Sequence, residues 1–88
     1  LGHKFSRGAT WKVGSAGEPF VFTVTAKTVD LVVARGSVLE VTVDGGEPYV
    51  CGDEAFAVVI SDTTAVHTVS VRPYFDDRDS TLLAVACN

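Results

Sequence analysis

Phe20-Val21-Phe22-Thr23-Val24-Thr25 decides the fold class. Phe20, Phe22 and Val24 fall on one side of the chain and Val21, Thr23 and Thr25 on the other, which is the two-residue period of a β-strand. Downstream, Val29 to Ala34 is a valine-rich run broken by Arg35-Gly36. Ser37 to Val43 then sets Leu39, Val41 and Val43 against Glu40 and Thr42, so two further strands are expected. Asp44-Gly45-Gly46 has the residues of a tight turn, and Glu47-Pro48-Tyr49-Val50 is expected to return beside the strand before it. Ala55 to Ser61 is an apolar run, Asp62-Thr63-Thr64-Ala65 reads as a turn, and Val66 to Arg72 alternates with His67, Val69 and Val71 on one face; this predicts a hairpin. Pro73 ends that strand or sets it at an edge, Asp76 to Ser80 is a polar loop, and Thr81 to Cys87 forms the last strand.

No window has helical periodicity, and the dominant Val and Thr stiffen χ1 in a way that suits a pleated surface. The expectation is an all-β chain: a small antiparallel β-sandwich or barrel of six to seven short strands. Upstream of Phe20 the composition changes. Gly2, Gly8, Gly14, Gly17 and Pro19 punctuate a stretch with few large apolar side chains. Residues 1–19 therefore read as an extended N-terminal arm and residues 20–88 as a single β domain.

With 88 residues, 47% hydrophobic and 20% charged, the chain can build one core, and a two-domain enzyme is excluded. A net charge of -4 argues against nucleic acid as a partner, because that affinity comes from Lys and Arg neutralising phosphates. The longest apolar runs, Ala55 to Ile60 and Leu82 to Cys87, are far below the roughly 18 residues of a membrane helix, so no membrane partner is expected. The chain opens at Leu1 without a signal peptide, and is read as a processed product or one missing its first residues.

Nucleophilic catalysis needs a Ser or Cys beside a base that a third group orients. His3 lies in the arm and His67 inside a strand pattern, where a packed or edge role is the ordinary one. Cys51, Asp53, His67 and the cluster Asp76, Asp77, Asp79 do not have the spacing of a zinc or calcium site. A copper site of two histidines, a ligand cysteine and an axial Met or Gln is not expected, since the chain has no Met and a disulfide frame of that kind would use both cysteines. No catalytic residue, cofactor, metal ligand or small-molecule substrate is assigned. Cys51 and Cys87 are either a disulfide pair in an oxidising compartment or two thiols in a reducing one.

Charge is unevenly placed. Between Arg35 and Arg72 stand Glu40, Asp44, Glu47, Asp53, Glu54 and Asp62 with no Lys or Arg, whereas Lys4, Arg7 and Lys12 precede the first acid, Glu18. In the arm, Ala9, Trp11 and Val13 alternate with Thr10 and Lys12. Trp11 either folds back onto the domain's own core or anchors a strand added to a partner's sheet. Phe5, Arg7, Trp11, Lys12 and Val13 are the candidate partner-binding residues, because large aromatic anchors concentrate binding energy.

Val33-Ala34-Arg35-Gly36-Ser37-Val38-Leu39-Glu40-Val41, followed by Asp44-Gly45-Gly46-Glu47-Pro48-Tyr49-Val50, resembles the lambda-type head decoration proteins of tailed bacteriophages. Ala57-Val58-Val59-Ile60, Asp62-Thr63-Thr64-Ala65 and Val69-Ser70-Val71-Arg72 look like that family's next strand, loop and closing strand, so the resemblance spans about residues 29–72. Glu40 departs from the glycine usual in the family, the Asp62 loop is short, and the arm with Trp11 does not align with the family's sequence. The resemblance implies a non-enzymatic structural protein made in the host cytoplasm. It would sit on the capsid exterior as a homotrimer, bind the major capsid protein through its N-terminal segment and stabilise the shell. The alternative expectation is a secreted β-sandwich binding module held by a disulfide between Cys51 and Cys87.

Overall fold

The computed structural model describes residues 4–13, 18–52, 55–75 and 77–88, with side chains from residue 8 onward. Alternation becomes strand throughout. The elements are β1 (Lys4–Trp11), β2 (Phe20–Val33), β3 (Val38–Val43), β4 (Tyr49–Gly52), β5 (Ala55–Pro73) and β6 (Ser80–Cys87). All pairings are antiparallel, in one six-stranded sheet of order β1-β6-β2-β5-β3-β4. The chain is all-β, as its valine and threonine patterning requires.

Strand length is where sequence and structure part. The runs 20–25 and 29–34, read as two strands, are one strand of 14 residues, and the predicted hairpin of 55–61 with 66–72 is one strand of 19 residues. Both halves of β5 pair with β2 and not with each other. Ala26 faces Ala65 and Thr28 faces Ile60, so Lys27 alone spans the residues from Ser61 to Thr64. Such an excess on one strand bends it and increases the local twist. Within the excess, the Ser61 hydroxyl accepts the Thr63 N–H at 3.1 Å, a local turn that replaces the missing ladder contacts. Asp62 to Ala65 therefore does turn the chain, as a crease in a continuing strand.

The crease folds the sheet over itself. Beyond it β6 pairs with Val29 to Val33 of β2, while β3 pairs with Val69 to Pro73 of β5, so the two halves of the sheet face one another. Val29, Leu31, Leu82 and Val85 from one half meet Leu39, Val41, Val69 and Val71 from the other; none is more than 1% exposed. Burying each such Val or Leu is worth roughly 1.5–3 kcal/mol, and this interior makes the fold sandwich-like or barrel-like. Outer-face positions of β2 such as Val21, Thr23 and Thr25 are exposed.

The turn predicted at 44–46 is present. Asp44 and Gly45 have φ of 53° and 72°, and the Gly46 N–H donates to the Val43 carbonyl at 2.9 Å. Two successive positive φ values match the twist of flanking strands, which is why Asp-Gly suits this position. Val41 then pairs with Tyr49, and Tyr49-Val50 forms the expected return strand.

Candidate functional site

The segment read as an arm carries β1, and β1 is the edge strand next to β6, from Lys4 opposite Cys87 to Trp11 opposite Ser80. Of the two fates open to Trp11, the structure holds the one in which it closes the chain's own core. The side chain is 6% exposed and its indole N–H donates to the Glu18 carbonyl at 2.5 Å. An aromatic N–H that enters a core needs such an acceptor. Gly8 makes the approach of β1 to β6 possible: a Cβ there would lie 1.9 Å from the Leu82 carbonyl oxygen and 2.5 Å from that of Leu83.

The predicted partner-binding residues are thus divided. Trp11 is spent on the core. Phe5 and Arg7 sit on β1 opposite Ala86 and Ala84, with side chains outside the described residues. Lys12 and Val13 follow the end of the strand and are exposed. The Val13 N–H donates to Asp79 Oδ1 at 2.7 Å, and Lys12 Nζ stands 3.8 Å from Asp79 Oδ2.

Asp79 belongs to the loop between β5 and β6, which holds an aromatic pair that sequence reasoning passed over. The Tyr74 and Phe75 rings meet edge to face with centroids 4.8 Å apart, and the Arg78 guanidinium lies 4.6 Å from the centre of the Phe75 ring. Tyr74 is 50% exposed and Phe75 37%. The Tyr74 N–H donates to the Val38 carbonyl at 2.9 Å, which ties the start of the loop to β3. The available signal was two adjacent large aromatics immediately after the proline that ends a strand: past that point no ladder turns them toward the core.

At the other turn, Asp44 Oδ1 accepts the Thr68 N–H at 2.8 Å and Oδ2 pairs with His67 Nδ1 at 2.7 Å. The His67 ring bond first, and then the Thr68 N–H, hold the Asp44 carboxyl below the ordinary carboxylate range. His67 Nε2, the atom a general base would present to a nucleophile, is buried without a hydrogen-bond partner. On the outer face, Pro19, Glu40, Thr42, Ser70 and Arg72 line a shallow hollow of about 210 Å³. Across it the Arg72 Nε–H donates to Glu40 Oε1 at 2.9 Å. Among the described residues no group of three or more His, Cys, Asp or Glu is placed to hold a metal ion.

Neither cysteine is in a disulfide. Cys51 is opposite Leu39, near Pro73, whereas Cys87 is opposite Val29 and Lys4, beside the crease, so the fold places them at opposite ends of its folded sheet. Cys51 is 1% exposed, and burial pushes its thiol pKa up, which disfavours the reactive thiolate. Burial and the neighbouring Cys51 also raise the Tyr49 hydroxyl pKa. No protein family, no curated protein and no solved structure matches this chain.

Proposed function

We propose that this chain is a non-enzymatic structural protein that decorates the exterior of a viral capsid and stabilises it by binding the major capsid protein. The resemblance at residues 29–72 motivates the reading, and one structural observation carries its mechanism: β1 is an eight-residue edge strand that pairs only with β6 among the described residues. Its outer side presents a row of backbone donors and acceptors, the template that strand addition uses. Lys4 and Arg7 on this edge discourage two β1 edges from pairing with each other and favour an acidic partner strand. Docking then uses the arm as an edge already in place, with Trp11 as its internal anchor. The alternative, a module held by a Cys51–Cys87 disulfide, draws no support from cysteines at opposite ends of the sheet.

Co-sedimentation with expanded, DNA-free shells of a major capsid protein from the same source as this chain tests the reading. Saturable binding and a raised disruption temperature of the shells are expected. Lys4→Glu combined with Arg7→Glu, which leaves Trp11 in place, is expected to lower occupancy. Shells that bind none of the intact protein would refute the assignment.

A further inference from the structure

The outer face of the β3–β5 ladder holds a polar frame that docking through β1 leaves unused. Register puts Glu40 opposite Arg72 and Thr42 opposite Ser70. Side chains two apart on a strand share a face, and paired ones on neighbouring strands lie about 5 Å apart. These four therefore stand at the corners of one rectangle, roughly 5 by 7 Å. Pro19, which precedes Phe20 opposite Val71, flanks Arg72, and the five residues together line the hollow of about 210 Å³. That is below the roughly 300–1,000 Å³ of pockets for drug-sized ligands, so the hollow suits a single small ring.

The hydrogen-bonding groups left over in this frame identify the ligand class. The Arg72 Nε–H donates to Glu40 Oε1 at 2.9 Å, which holds both side chains across the hollow. Among the described residues, Glu40 Oε2, the Nη groups of Arg72 and the hydroxyls of Thr42 and Ser70 have no hydrogen-bond partner within the protein. A carboxylate only accepts, a guanidinium only donates, and each hydroxyl does both. A ligand hydroxyl matches all three kinds, because its one oxygen donates and accepts. Neighbouring hydroxyls on one ring can serve Glu40 and Arg72 together while a C–H face of the ring rests on Pro19. Charge points the same way. Glu40 and Arg72 cancel, exposed Glu18 precedes Pro19, and exposed Asp44 lies two residues beyond Thr42, so a carboxylate or phosphate is repelled while a cation meets Arg72. We propose that this hollow is a carbohydrate-binding site that engages one neutral monosaccharide ring. The inference goes beyond the decoration reading and does not depend on it.

Titration of the isotope-labelled full-length chain with D-glucose, D-galactose, D-mannose and N-acetyl-D-glucosamine, followed by amide chemical shifts, tests the proposal. Saturable shifts centred on residues 40–42 and 70–72 are expected for at least one of these sugars, with a dissociation constant of about 1–10 mM, as befits an open site with few contacts. Thr42→Val and Ser70→Ala each remove one outer-face hydroxyl and should keep the wild-type circular dichroism spectrum. Each is expected to weaken binding about 5-fold, as loss of one neutral hydrogen bond does. Sodium acetate and inorganic phosphate are expected to give no saturable shift at these residues. The proposal is overturned by the absence of a saturable shift with all four sugars, or by shifts that saturate elsewhere on the chain. It is also overturned by sugar binding that is unchanged when both hydroxyls are removed, or by acetate or phosphate binding more tightly than sugar.

Discussion

Trp11 and Phe75 both stand beside charged, turn-rich segments, yet Trp11 is 6% exposed and Phe75 37%. Trp11 is the last residue of a strand, in register with Ser80, and pairing fixes which way its side chain points. Phe75 follows Pro73, where the ladder with β3 has ended, and its neighbour Tyr74 is tied to β3 only by a backbone bond. The difference shows that an aromatic residue is committed to the core by the ladder that aims it, and that hydrophobicity alone leaves its placement open.

That contrast breaks most severely at Trp11. Trp11→Ala is expected to cost about 3–5 kcal/mol, the usual loss for a buried aromatic and a large share of the stability of a domain this size. Urea unfolding followed by circular dichroism would measure it, and a change under about 1 kcal/mol would mean that β1 is dispensable to the core.

Gly8→Ala attacks the same strand without touching the indole. With a Cβ 1.9 Å from the Leu82 carbonyl, β1 must shift off β6, at an expected cost of about 1–3 kcal/mol. Tryptophan emission should move to the red and protease should cut first within residues 1–19. Unchanged emission would show that β1 can retain its seat by local adjustment.

On the exposed side, Phe75→Ser is expected to change stability by about 1 kcal/mol or less, because it removes one exposed ring pair and one exposed cation–π contact. A loss as large as that for Trp11→Ala would erase the distinction between the two sites.

The smallest effect sharpens the turn that frames this end of β3. The folded Asp44 pKa lies below its unfolded value of about 3.9, so its contribution is fully present above that value and is lost as pH falls through the folded pKa. Asp44→Asn keeps an oxygen for the Thr68 N–H and tolerates the positive φ, but cannot ionise. It is expected to melt slightly below wild type at pH 7, with the gap closing as the pH falls below the unfolded value and the wild-type carboxylate is protonated. A gap independent of pH would remove the carboxylate as its cause.

Much of this was legible in the residues and some was not. Alternation in Phe20 to Thr25 and Ser37 to Val43 identified strands and their inner faces, and Asp44-Gly45 identified a turn that demands positive φ. The Asp62 segment was misread as the end of a hairpin because Thr-Thr-Ala is compatible with turn and strand alike. Only the count of residues on the opposite strand, Lys27 alone, makes it a crease. At the loop between β5 and β6, Lys12 was named from sequence, whereas Tyr74, Phe75 and Arg78 were not, since their ring contacts depend on how the loop closes.

By itself the sequence determined that this chain is all-β, which residues of the alternating runs 20–25, 37–43 and 66–72 share a face, and where the β3–β4 turn falls. These follow from local steric preferences and from a two-residue period that any strand obeys. Only the tertiary structure decided that β1 lies on β6, that β2 and β5 run through the crease as single long strands, that the cysteines stand apart, and that one aromatic site is closed and the other open. The reason is physical: strands are joined by backbone N–H and C=O groups that nearly all residues share, so the choice of neighbour is set by how the folded sheet closes around its core.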